Sequence, residues 1–106
     1  MNLSITARGY KAPERLKKYI SEKLDRRRRL FEEALDIEVI LSYEKLTQVA
    51  EFKIQVNNRV IVAREKSEDI FKSIDLALDS SERQIKRFRD KQRDHDNKKI
   101  IDNLVA

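Results

Sequence analysis

Two hydrophobic periods alternate along this chain, and their order leaves few folds open to it. Leu3, Ile5 and Ala7 alternate with Asn2, Ser4, Thr6 and Arg8, the two-residue period of a half-buried strand. Gly9 ends that run. Pro13 suits the first turn of a helix, where its missing N–H has no intrahelical partner to lose. Leu16, Ile20 and Leu24, with Tyr19 and Phe31 beside them, then recur at helical spacing to about residue 34. Period two returns with Ile37, Val39, Leu41 and Tyr43 set against Glu38, Ser42 and Glu44, and again with Ala50, Phe52, Ile54 and Val56 against Glu51, Lys53 and Gln55. Asn57-Asn58 tolerates left-handed backbone angles and predicts a two-residue hairpin turn. Residues 59–65 give a shorter strand with a more continuous apolar run, Val60 to Ala63. Ser67 is expected to cap the second helix, with Glu68 and Asp69 in its first turn, where they favour the positive end of the dipole. Ile70, Phe71, Ile74, Ala77, Leu78, Ile85 and Phe88 trace one stripe of that helix to about residue 93.

The order β-α-β-β-β-α predicts an α+β domain of two layers. Three strands joined by short turns make an antiparallel meander, and a helical crossover brings the first strand in parallel. Each helix carries one apolar stripe, so both are expected on the same face of a four-stranded sheet. A chain of 106 residues holds one core. One glycine and one proline leave little room for long irregular loops. Residues 1–93 are read as this domain, and 94–106, mostly polar, as a flexible tail held only by a partner.

Charge is unevenly spread. The net charge is +5, but residues 11–29 hold nine basic side chains against three acidic ones. Residues 83–93 hold six against Asp90 alone, and residues 32–69 hold five basic against nine acidic. Two cationic patches separated by an acidic stretch suit docking of one face on a polyanion; two ordinary solvated helices are the plainer alternative. Cysteine is absent, which excludes a disulfide framework and a zinc-thiolate site. Neither a membrane span nor a signal peptide is read, and a cytoplasmic protein is expected.

No catalytic constellation emerges. His95 is the only histidine and, with Asp94 and Asp96, falls in the expected tail. A single glycine cannot build a phosphate loop, and no cofactor, metal or small-molecule substrate is expected. The basic residues are more informative. Lys23, Arg26 and Arg27 share a helix face, with Arg28 and Arg29 extending the charge round its end; Arg83 and Arg87 lie one turn apart, with Lys86 and Lys91 nearby. Like charges this close repel, and a polyphosphate partner relieves that while releasing counterions. Arg27 falls inside the apolar stripe, so either its stem packs while its head snorkels out, or the helix overruns the sheet and presents Arg26 to Arg29; the overrun is the expectation. Tyr19, Tyr43, Phe31, Phe52, Phe71 and Phe88 fall on expected core faces and Tyr10 in a loop, so base stacking on an open sheet is not the expected mode.

Several segments resemble the family of ribosome hibernation-promoting factors and ribosome-associated inhibitors, also called sigma-54 modulation proteins. They are Met1 to Thr6, Asp36 to Lys45, Val62-Ala63 followed by Ser67 to Asp75, and Glu82-Arg83-Gln84-Ile85. The resemblance covers about residues 1–93. It implies a fold like that of double-stranded-RNA-binding domains and docking of a free monomer on small-subunit ribosomal RNA. The docking place implied is the decoding channel, where such a protein excludes mRNA and tRNA and inhibits translation without catalysis. It assigns RNA contacts to positions matching Lys23, Arg26, Arg29, Arg83 and Arg87. Arg27 and Ser81 stand where relatives usually have leucine, so looser packing between the helix ends is expected. The short branch, without a dimerisation domain, is the nearer match, and whether ribosomes pair or stay single is open. A general duplex-RNA binder and a sigma-factor or polymerase regulator are the competing readings.

Overall fold

The computed structural model describes the backbone of residues 2–105 and the side chains of residues 2–91. Its elements are β1 (Asn2–Ala7), α1 (Glu14–Arg26), β2 (Ala34–Glu44), β3 (Thr47–Val56), β4 (Arg59–Ser67) and α2 (Ile70–Val105). The sheet order is β1-β2-β3-β4. β1 runs parallel to β2, with Ile5 opposite Val39. β2, β3 and β4 form the antiparallel meander, with Val39 opposite Phe52 and Phe52 opposite Ala63.

That register collects the alternating apolar residues on one face. Ile37, Val39, Leu41, Ala50, Phe52 and Ile54 are at most 2% exposed and meet Leu16, Ile20 and Leu24 of α1 and Ile74, Leu78 and Ile85 of α2 in a single core. Both helices therefore cover one face, α2 lying across β3 and β4. Val60 and Val62 point the other way and stay about half exposed, because a strand in a two-layer fold buries one side only. β1, β2 and β4 finish at the end of the sheet where both helices start, here the upper end; the helices descend side by side towards the lower end, where Asn57, at φ 54°, turns β3 into β4.

Several local expectations change. α1 stops at Arg26, some eight residues early, and residues 27–33 form turns held by short-range bonds such as Leu30 N–H to the Arg27 carbonyl (3.0 Å) and Ala34 N–H to the Phe31 carbonyl (3.0 Å). Phe31, 3% exposed, reaches the core from this turn rather than from the helix. Pro13 sits just before α1, its carbonyl accepting from Leu16 N–H at 3.0 Å. The cap of α2 is Asp69, whose Oδ1 accepts from Phe71 N–H at 2.9 Å and whose carbonyl accepts from Ser73 N–H at 3.0 Å. Ser67 belongs instead to β4, paired with Gln48. Tyr43 continues the inward alternation of β2 but lies outside the buried core; it is 50% exposed and packs edge-on with Tyr10, 4.9 Å between centroids. The backbone of α2 runs to Val105, since neither glycine nor proline follows Pro13 to stop it. The side chains of Arg93, Asp94, His95 and Asp96 lie outside the described residues. No helix among the described residues is long and apolar enough to cross a membrane.

Candidate nucleic-acid interface

The inward stripe of α1, Leu16-Ile20-Leu24, places Tyr19, Lys23 and Arg27 one position round the helix, on the flank facing α2. On α2, Asp75, Asp79 and Glu82 follow at spacings of four and three and face them. A polar seam results. Tyr19 Oη donates to Asp75 Oδ1 at 2.7 Å, and Lys23 Nζ lies 3.8 Å from the same oxygen. Arg27 donates through Nη2 to Asp79 at 2.9 Å and through Nη1 to Glu82 at 3.3 Å. Burial, and then the bond to Asp75, push the Tyr19 phenol up to about 12, because an ionised phenolate there would face a carboxylate. Below the seam, Arg89 Nη2 donates to the carbonyls of Leu30 (2.8 Å) and Arg29 (3.3 Å). One side chain of α2 thus fastens the arginine-rich turn that ends α1.

The seam sorts the cations. Arg27 does not overhang: its side chain is 25% exposed and its charge is committed to two carboxylates of α2. Lys23 is half-buried in the seam, and Lys86 pairs with Glu82 at 3.4 Å. Arg26, Arg28, Arg29, Arg83, Arg87 and Lys91 are exposed. Among the described residues none of these six lies within ion-pair distance of a carboxylate. The nine residues singled out from the sequence therefore divide into three paired and six unpaired, all towards the lower end of the two helices. The negative end of the α1 dipole favours a cation or two in its last turn, but four consecutive arginines exceed what that needs. Of the two positions where looser packing was expected, Arg27 is bridged to α2 by Asp79 and Glu82, and Ser81 is fully buried and donates to the Ala77 carbonyl of its own helix at 2.8 Å.

The opposite face of the sheet is arranged differently. Glu44 binds Arg64 and Lys66, and Glu51 lies 3.8 Å from both Arg64 and Lys53. Hydrogen bonds from Lys66 and Arg64 hold the Glu44 carboxyl below its usual range. Cations here are paired. Sequence reasoning missed the three seam acids, although their i, i+4, i+7 spacing on α2 was visible. It also missed Arg59, which the β3–β4 turn carries to α2, its guanidinium 5.3 Å from the centre of the Phe88 ring.

Residues 3–93 match the family described as sigma 54 modulation protein / S30EA ribosomal protein. A ribosome hibernation promoting factor of Azotobacter vinelandii is 32% identical over 92 residues, covering 87% of this chain and 86% of that one. The factor of the same name from Salmonella typhimurium is 30% identical over 95 residues, 90% of this chain and all of that one. The solved structure of a ribosomal subunit interface protein from Coxiella burnetii superposes with a TM-score of 0.80 over 84% of this chain and 98% of that one, at 24% identity, and shares the fold.

Proposed function

Since the chain belongs to the sigma 54 modulation protein / S30EA ribosomal protein family, we propose that it is a ribosome hibernation factor that docks on small-subunit ribosomal RNA in the decoding region. It fills the channel taken by mRNA and tRNA, and so silences the ribosome by occupancy rather than by catalysis. The names of its relatives support the ribosomal setting. The observation that carries the surface is the sorting of cations: six exposed groups, unpaired among the described residues, lie on two helices locked side by side and on the turn that follows the first, while the cations of the far sheet face are neutralised within the chain. Guanidinium groups fit phosphate oxygens in a bidentate way and displace condensed counterions as they bind. A fixed spacing between two cationic rows favours a folded RNA over a flexible strand, because the seam sets the relative position of the helices before docking.

Binding to purified small subunits, followed by sucrose-gradient sedimentation across a range of salt, tests this. If about four of the cations meet phosphates, log affinity falls with log salt at a slope of roughly −3 to −4. A slope near zero refutes phosphate docking. Replacing Arg26, Arg29, Arg83 and Arg87 with alanine weakens binding and leaves thermal unfolding nearly unchanged, since all four are exposed. Equal affinity for isolated duplex RNA would instead assign a general duplex-binding role.

A further inference from the structure

On the side of α2 turned away from α1, the start of β4 and the lower part of α2 enclose a shallow groove of about 230 Å³. Its charged lining residues are Arg59, Arg87 and Lys91, and no carboxylate lines it. Arg59 and Arg87 are exposed, and among the described residues neither pairs with an acid. One turn either way along α2, Arg87 has Arg83 and Lys91 at four residues and Gln84 and Asp90 at three, and Asp90 does not come within ion-pair distance of it. Two contacts fix the groove's shape. Gln84 donates its side-chain amide to the Val62 carbonyl at 2.9 Å, tying α2 to the outer edge of β4, and the Phe88 ring holds the Arg59 guanidinium at 5.3 Å. Like charges gathered in a concave site raise each other's field and concentrate anions there. The Phe88 contact stabilises the cation without consuming its charge.

We propose that this groove binds a backbone phosphate of the ribosomal RNA, with Arg59 as its determining residue, so that the RNA surface of the protein extends round α2 to the sheet edge. This rests on the reading that the helix ends dock on small-subunit RNA, and adds a contact from a strand, outside the nine helix and turn residues. Arg59 is the one cation of the groove that is not on α2, so its replacement separates the groove from the helix surface.

The test compares the wild type, Arg59→Ala, Arg59→Lys and the control Arg64→Ala in binding to purified small subunits at several salt concentrations, with thermal unfolding alongside. Arg64 is on the same strand but paired with Glu44 and Glu51. Arg59→Ala is expected to weaken binding about tenfold near 0.1 M salt and to flatten the log–log slope by about 0.9, the share of one phosphate. Arg59→Lys recovers the slope, and Arg64→Ala changes neither quantity. An Arg59→Ala protein that binds with the wild-type affinity and slope, or that loses affinity with the slope intact, overturns the groove while the docking reading stands. A wild type that does not bind small subunits overturns the docking reading itself.

Discussion

Arg27 offers a decisive perturbation, because it stands among the arginines on sequence and apart from them in the fold. Its guanidinium makes two hydrogen-bonded ion pairs across the helices, and three-quarters of its side chain is covered. Asp79 is half exposed and Glu82 about a third, so both return to water when Arg27 is removed and no buried charge is stranded. Exposed pairs contribute about 0.2–1 kcal/mol each, and loss of the packed stem adds to that. Arg27→Ala is therefore expected to lose about 1.5 kcal/mol, a fall in Tm of roughly 6–12 °C for a domain of this size. Arg27→Leu restores stem packing and is expected to lose under about 1 kcal/mol. Neither change alters the salt slope of small-subunit binding, because that charge is already spent on Asp79 and Glu82. Arg28→Ala does the reverse, leaving melting alone and flattening the slope by about 0.9. Circular dichroism melts and binding at three salt concentrations separate the two. An Arg27→Leu protein whose slope falls as far as that of Arg28→Ala shows that Arg27 reaches a phosphate, and the sorting argument fails.

Two further outcomes are expected. The folded state holds the Tyr19 proton more tightly than the unfolded chain, so the stability this gives is complete below pH 10 and lost as pH climbs towards about 12. The advantage of the wild type over Tyr19→Phe in denaturant midpoint should shrink across that window, and a flat difference contradicts it. Arg89→Ala removes both anchors of the arginine turn, at about 1 kcal/mol. Exchange of the Leu30, Phe31 and Ala34 amides should quicken roughly fivefold while the buried middle of α2 keeps its protection; unchanged exchange in the turn rules out the anchoring role.

The strands and the α2 stripe were legible because alternation and helical spacing report burial directly. What failed was local punctuation decided by distant groups. Phe31 lies seven residues after Leu24, a spacing that continues the helix. No glycine or proline marks the stop at Arg26; the turn is held by Arg89, about 60 positions away in the chain. Ser67 and Asp69 are both able to cap, and only the pairing of Ser67 with Gln48 across the sheet assigns the role to Asp69. The cationic cluster was legible as a composition, but not its division. That division depends on Asp75, Asp79 and Glu82 facing α1, which no pattern within either helix alone decides. Arg59 was hidden for the same reason, since the meander alone brings the β3–β4 turn beside α2.

The ion pairs on the bare side of the sheet have a consequence of their own. With Glu44 occupied by Arg64 and Lys66, and Glu51 close to Arg64 and Lys53, that surface has no strong pull on a second polyanion. If RNA docks on the helix face as proposed, the domain offers RNA that one face, and bringing two particles together through this domain would call for a contact of different chemistry.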